Sequence, residues 1–264
     1  MPPFEADPFG AQKPAPVSFA SAPAMALSTQ PKEVAEEVAR AAQLRRVDTD
    51  IEHLMRARYP LIYILSSEER RVEESIKRVL ESREKEKGHR TRIYTWSVTE
   101  GVRLGTETQG DSKDPLKALR FVLEAKDERA VFILRDLHPF QKNPEVVRLL
   151  RDLARNLKHT LKTVFMVSPV LSIPPELDKE IAVVEYPLPE LSEINGILER
   201  VARMVSGTKV PLAQDREHIV EAALGLTADE SESVFAKSLV QTGGSFDIDI
   251  ILSEKERIDR KSVV

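Results

Sequence analysis

The chain has 264 residues, of which 41% are hydrophobic and 31% are charged, and its formal net charge is -4. This length suffices for one α/β domain with a smaller attachment, and the near balance of 43 acidic and 39 basic residues gives no general attraction to nucleic acid or anionic membranes. The lack of cysteine excludes disulfides and cysteine-ligated metal, and no apolar run reaches the roughly 18 residues that span a bilayer, so we expect a cytoplasmic protein without a metal site.

The N-terminal part of the chain differs in composition from the rest. Residues 1–30 are rich in proline, alanine and serine and contain almost no branched apolar side chains. Such a segment cannot bury enough surface to offset its ordering entropy, which predicts a disordered tail. Apolar residues at helical spacing then predict a helical segment over 31–57.

Short apolar runs alternate with amphipathic helices over residues 58–190. Five runs resemble buried strands, at 61–65, 92–96, 130–134, 163–167 and 181–186. The longest helices are predicted at 68–85 and 144–161. This alternation predicts an α/β fold with a parallel five-stranded sheet and helices on both faces. The spaced glycines of segment 97–113 predict a mobile loop at the end of the second strand.

The pattern changes after Pro189. Residues 191–264 are helical almost throughout and predict a small all-helical lid with a C-terminal helix. One of these helices begins with Thr227 and Glu230 at the spacing of a capping box.

Ligands of parallel α/β sheets bind beyond the carboxyl ends of the strands, so the residues that follow the first strand are informative. A phosphate-binding loop there needs glycines, a lysine and a hydroxyl for magnesium. This chain instead has Ser66, Ser67, Glu68 and Glu69, with two carboxylates at a helix N-terminus. A triphosphate would meet like charge. We therefore expect no catalytic residue and no cofactor, with ATP and magnesium kept as the alternative.

Two further positions correspond to nucleotide-site residues. Arg135 and Asp136 follow the third strand, but Leu137 stands where a water-activating glutamate is expected. Asp136 either holds magnesium through water or, in the interpretation we favour, caps the following turn and pairs with Arg135. Ser168, after the fourth strand, is placed either as a γ-phosphate sensor or as an ordinary turn residue.

The helix predicted at 144–161 carries a basic stripe. Its cations are Arg148, Arg151, Arg155, Lys158 and Lys162, with only Asp152 nearby. Neighbouring positive charges on one helix face repel each other unless an anion lies close to them. A solvated face is the commonest explanation, and a protein partner is the next. Nucleic acid comes last because no aromatic side chains interleave with the stripe.

Several segments of the sequence resemble a known family. The segments 164–169, 173–177 and 186–189, with Glu193 and Ile194, are similar to AAA proteins from the fourth strand into the helical lid. Together with 96–101 and 136–140, they resemble the N-terminal region of a conserved AAA-family ATPase of cyanobacteria and algal chloroplast genomes. The resemblance covers about residues 50–262 and implies a P-loop/AAA-like fold.

The resemblance also implies a partner. In that family a second AAA module with an intact phosphate loop follows this region, and this sequence ends at Val264, near where that module would begin. Because the family's ATPase motif residues have no counterpart here, the resemblance implies a degenerate, non-catalytic module that regulates or contacts an AAA ATPase domain or forms homo-oligomers. An ATP-hydrolysing enzyme and, more weakly, a nucleic-acid binder remain alternatives, and a truncated, split or stand-alone gene would each fit the ending.

Overall fold

A computed structural model describes residues 46–204 and 213–262 of the chain. The predicted tail and most of the first predicted helical segment lie outside these ranges, although residues 46–56 form a helix, α1. No helix within the described ranges is both long enough and apolar enough to cross a membrane.

The described residues form seven strands and eight α-helices, counted in chain order. The strands are β1 (Leu61–Leu65), β2 (Arg92–Ser97), β3 (Gly101–Leu104), β4 (Glu107–Thr108), β5 (Arg129–Arg135), β6 (Leu161–Ser168) and β7 (Ile181–Glu185). The helices after α1 are α2 (Glu69–Lys87), α3 (Pro115–Glu124), α4 (Pro144–Leu157), α5 (Leu191–Met204), α6 (Ala213–Ala222), α7 (Ala228–Thr242) and α8 (Ile248–Ser262).

The sheet has the order β4-β3-β2-β5-β6-β1-β7. The five strands from β2 to β7 in this order pair in parallel, which confirms the predicted parallel α/β core. In each parallel strand successive side chains enter opposite layers, because strand side chains alternate with a period of two. Leu61 and Tyr63 pack with α3 and α4, whereas Ile62 and Ile64 pack with α1 and α2.

The prediction of a mobile loop over 97–113 is wrong in part, because β3 and β4 lie there and extend the sheet in antiparallel fashion. Gly105 supplies a positive φ of 62° in the two-residue connection between these strands. Ser112 fixes the segment, since its hydroxyl accepts from the Val102 N–H at 2.8 Å and its carbonyl accepts from the Trp96 indole at 2.8 Å. The glycines therefore mark turns of an ordered extension.

The basic stripe also differs from the prediction. Helix α4 ends at Leu157, and Lys162 lies in β6 and not on the helix. Thr160 explains the early stop, because its N–H and its hydroxyl both donate to the Leu157 carbonyl at 2.8 Å. The chain turns there and enters the sheet, and Lys162 leaves the stripe.

Helices α5 to α8 form a separate apolar core that includes Ile194, Val234, Phe235 and Ile251. The predicted capping box of α7 is confirmed, with reciprocal hydrogen bonds between Thr227 and Glu230. These helices form the small all-helical lid that follows the α/β core.

Candidate functional site

A cleft of about 470 Å³ lies between the first turn of α2, helix α5 and the start of α7. It borders the carboxyl ends of the parallel strands, where ligands of α/β sheets bind. The sequence-predicted positions Ser67, Glu68 and Glu69 line it.

The connection from β1 to α2 is a short turn held by serine rather than a wide glycine loop. The Ser66 N–H donates to the Ser168 carbonyl at 2.9 Å, and the Ser66 hydroxyl accepts from the Glu68 N–H at 3.0 Å. The Glu68 N–H, one of the donors that a phosphate would need, is therefore already bonded within the turn.

The Glu68 carboxylate occupies the center of this region, and its side chain is only 7% exposed. One oxygen accepts from the Arg71 guanidinium. The other accepts from the Ala228 N–H at 2.6 Å, at the first residue of lid helix α7. A carboxylate at a helix N-terminus is stabilised by the free N–H groups and by the helix dipole. Glu68 thus links the core to the lid as an internal anion.

Arg71 completes the link from the other side. Its guanidinium donates to Glu193 at 2.7 Å and to the Pro187 carbonyl at 3.0 Å, and it lies 5.2 Å from the center of the Tyr186 ring. Burial alone would lower the pKa of Arg71, but the carboxylates of Glu193 and Glu68 outweigh burial and raise it. Arg71 is therefore held as a cation, with two carboxylates and a carbonyl around it.

Arg135 is likewise paired with carboxylates of the same chain. Its Nε donates to Glu73 at 2.7 Å, and its guanidinium lies 3.5 Å from Glu69 and 3.6 Å from Glu100. Burial, partly offset by Arg135 and reinforced by the charges of Asp136 and Glu73, raises the pKa of Glu69. The carboxylates of α2 and of Glu100 thus surround the one cation at the end of β5.

Asp136 differs from the favoured prediction in both respects. It makes no ion pair with Arg135 among the described residues, and its Oδ1 lies 3.7 Å from His138 Nδ1. The short 3₁₀ helix at His138–Lys142 begins without a side-chain cap. The backbone of Asp136 has a left-handed φ of 49°. Asp tolerates this left-handed conformation better than most side chains.

Ser168 lies at the predicted position but is turned toward the protein. It is buried, and its hydroxyl is 2.6 Å from His138 Nδ1 and donates to the Val170 carbonyl at 3.2 Å. The structure therefore brings Ser66, Ser168 and the β5 end to one edge, as the sequence predicts, with their polar atoms bonded to one another.

The charge of the cleft does not suit a nucleotide. Its charged lining comprises six carboxylates and three arginines, namely Glu68, Glu69, Glu74, Glu193, Asp229, Glu232, Arg70, Arg71 and Arg200. Arg71 forms ion pairs with Glu68 and Glu193, and Arg200 lies 3.3 Å from Glu232. Among the described residues, no three histidine, aspartate or glutamate side chains are arranged to hold a metal ion. The acidic lining of the cleft would repel a triphosphate.

Helix α4 presents a second polar surface. Arg148 is bonded to Asp152 at 2.6 Å, whereas Arg155 and Lys158 are exposed and make no ion pair within the described part of the chain. Arg151 is half-buried, and its Nε has no partner there. Four of the five predicted basic residues therefore remain on or at the end of α4.

A groove of about 540 Å³ runs beside these arginines. Gln141 lies in its wall, is 4% exposed, and has a side-chain oxygen without a partner among the described residues. Sequence reasoning missed this buried acceptor, and it missed the Arg71–Glu193 contact as well. Neither had a local signal, since Gln141 lies in a polar turn and Glu193 is 122 positions from Arg71.

Comparison with known proteins shows which family the sequence matches. Residues 47–186 match the N-terminal domain of SpoVK-like AAA ATPases, and residues 192–262 match the second domain of the same family. Proteins named "Uncharacterized AAA domain-containing protein ycf46" are 31% identical over 214 residues in Guillardia theta and 31% identical over 210 residues in Trieres chinensis. These alignments cover 79% and 78% of this chain but 41% of each relative. The chain thus spans less than half the length of these relatives.

A solved structure supports the same fold. A chain of the Escherichia coli MS115-1 HORMA:CdnC:Trip13 complex superposes with a TM-score of 0.52, covering 85% of this chain and 91% of that chain at 13% identity. At this identity the likeness concerns the fold only.

Proposed function

The chain belongs to the SpoVK-like AAA ATPase family, and we propose that it is a non-catalytic AAA module that acts through contacts with an AAA ATPase domain. Its place of action in this proposal is the cytoplasm. Homo-oligomers of the chain are the other form that such contacts can take.

The internal anion at Glu68 carries the proposal. Its carboxylate holds the start of α2 to the first N–H of α7 and to Arg71, so the core and the lid are joined by protein groups alone. A bound phosphate would need the same free N–H groups at a helix N-terminus, and at α7 the first of them already donates to Glu68. The three cations of the cleft face twice as many carboxylates, which opposes a polyanionic ligand.

The surface beside α4 supports contact with a protein. The side-chain oxygen of Gln141 is buried without a described donor, and burying an acceptor in this way costs about 1–3 kcal/mol. Arg151 lines the same groove with an unpartnered Nε, and Arg155 lies on the next turn of the helix. An acidic segment of an AAA domain would supply carboxylates to the arginines and a backbone N–H to Gln141.

The test is to measure assembly directly. The 264-residue chain is mixed with a matching ATPase module, such as the part of the Guillardia theta relative that this chain does not cover, and followed by size-exclusion chromatography with light scattering. We expect a complex that weakens at least tenfold when Arg151→Glu and Arg155→Glu are combined, because like charges then face the partner.

A matched variant reverses two other cations, Lys113→Glu and Arg257→Glu, and we expect it to bind like the unmodified chain. A strict monomer that ignores the ATPase module and also fails to self-associate would contradict the proposal.

A further inference from the structure

A small pocket at the opposite edge of the sheet, beside the amino ends of the parallel strands, has an unusual set of charges. It measures about 30 Å³, and no acidic residue lines it. Its polar lining, called the basic pocket below, comprises Arg58, Arg83, Arg129, Lys162, Thr91, Thr160 and Thr163. The chain as a whole is acidic, with a formal charge of -4, so four cations around one depression are not a consequence of composition.

The topology of the fold brings these cations together from four separate elements. Arg129 opens β5, and its register partner Leu161 precedes Lys162 in the neighbouring strand β6. Arg83 lies in the C-terminal part of α2, and Arg58 follows α1. The pairing of β5 with β6 fixes the first two positions, and the packing of α1 and α2 on that face adds the others.

These cations lack counter-charges within the described ranges 46–204 and 213–262. The side chains of Arg58, Arg83 and Arg129 form no ion pair or hydrogen bond there, and Lys162 donates to an uncharged acceptor, the Ala125 carbonyl. Arg83, Arg129 and Lys162 are also half-buried, so water screens their repulsion less well than on an open surface. Arg71 and Arg135 at the other edge each have two or more carboxylates.

The backbone at Arg58 gives a second, independent observation. Arg58 has a φ of 60° at the end of α1, where the Tyr59 N–H donates to the Leu54 carbonyl at 3.0 Å. Glycine is the residue that this left-handed helix ending favours, since a side chain there is strained. The chain places a cationic side chain at the strained position, where it lines the basic pocket.

We propose that the basic pocket binds one phosphoryl group, either as inorganic phosphate or as the terminal group of a small phosphomonoester. Guanidinium groups match the oxygens of phosphate in charge and geometry, and the hydroxyls of Thr91 and Thr163 provide further donors. The pocket has room for about one or two water molecules, which phosphoryl oxygens would replace, and it is far smaller than the roughly 300–1,000 Å³ of drug-sized ligand sites. The rest of the ligand therefore lies in solvent. This site is independent of the cleft at the other edge.

The first measurement is the melting temperature of the full chain in 10 mM inorganic phosphate, compared with chloride at the same pH and ionic strength. Binding with a Kd of about 1 mM raises the melting temperature by roughly 3–5 °C, because phosphate stabilises only the folded state. Calorimetric titration with inorganic phosphate and with glycerol phosphate shows whether the free anion or the monoester binds more tightly.

The variant Arg83→Gln/Arg129→Gln tests the location. In chloride we expect it to melt at the same temperature as the unmodified chain or higher, because repulsion is relieved, and in phosphate we expect no shift. Lys113→Gln/Arg257→Gln removes the same charge elsewhere and keeps the shift.

Arg58→Gly is the second probe, since it relieves the left-handed strain while removing one ligand. We expect it to melt about 2 °C higher in chloride and to bind phosphate several-fold more weakly. The proposal is overturned if phosphate and chloride give equal melting temperatures for the unmodified chain, or if the phosphate shift survives in Arg83→Gln/Arg129→Gln.

Discussion

The two edges of the parallel sheet differ in whether their arginines have carboxylate partners. At the carboxyl edge, where an α/β fold normally binds its ligand, Arg71 and Arg135 are paired with carboxylates of the same chain. At the amino edge, Arg58, Arg83 and Arg129 have no such partners among the described residues.

The difference shows that, within the described ranges, cations with and without carboxylate partners lie at opposite edges of the same sheet. At the carboxyl edge, Glu68 accepts a hydrogen bond from the first N–H of lid helix α7, and in our proposal it takes the place of an external anion. The basic pocket lies at the opposite edge, where its cations, unpaired in the described part of the chain, and the left-handed backbone of Arg58 identify it.

The largest effect is expected from Arg71→Ala, which breaks the closed edge. Removing this cation leaves the buried carboxylate of Glu68 without its charge partner, and such losses lower the free energy of unfolding by about 3–5 kcal/mol. Urea denaturation measures the change. Arg70→Ala is the matched control, because its side chain is 84% exposed and, among the described residues, pairs only with Glu74. We therefore expect a loss below about 0.5 kcal/mol. Equal stabilities for the two variants would show that the Arg71 link is not structural.

A smaller loss is expected from Ala228→Pro, which removes only the N–H that donates to Glu68. Ala228 is the first residue of α7, a position that suits proline, and Thr227 before it has an extended backbone with a ψ of 166°. Losing a hydrogen bond to a charged group should lower the free energy of unfolding by about 1.5–3 kcal/mol.

Ala228→Ser keeps the N–H and serves as the control, with a stability close to that of the unmodified chain. If the proline variant is as stable as the serine variant, Glu68 does not hold the lid.

The smallest effect concerns Glu69 and depends on pH. Burial, with the nearby charges of Asp136 and Glu73, raises the pKa of Glu69 in the folded state, so folding favours its protonated form. This contribution to stability is fully present below the ordinary pKa of 4.5 and is lost as the pH rises through the raised value. Glu69→Gln should therefore be more stable than the unmodified chain at pH 7.

The gain at pH 7 is at most about 0.5 kcal/mol, since the Glu69 side chain is 37% exposed and solvent screens it. Melting curves of both proteins between pH 4 and pH 7 measure the difference, which should shrink toward pH 4. A Glu69→Gln variant that is less stable at pH 7 would show that the attraction of Arg135 outweighs burial.

The sequence predicted the parts of the molecule that depend on local pattern. The parallel core follows from apolar runs of strand length, and the capping box at Thr227 follows from residue spacing. The lack of a glycine loop after β1 could also be predicted, because the residues of that turn are adjacent in the sequence.

Contacts between distant segments could not be predicted in this way. The hydrogen bond between Glu68 and Ala228 joins residues 160 positions apart. Lys162 lines the basic pocket and does not lie on the predicted helix stripe, because the chain turns at Thr160 after α4. The three arginines of that pocket come from elements that only the folded sheet brings together. The sequence pattern therefore showed that no glycine loop follows β1, and the structure was needed to show that Glu68 and Arg71 join this turn to the lid.

The most direct test of the closed carboxyl edge is calorimetric titration of the chain with Mg-ATP. The Arg83→Gln/Arg129→Gln background is used so that phosphates held at the amino edge do not contribute. We expect no binding up to about 1 mM ATP, because a triphosphate would have to displace Glu68 from Arg71 and face six carboxylates. Binding in the micromolar range that Asp136→Ala abolishes would contradict this and would identify the cleft as a working nucleotide site.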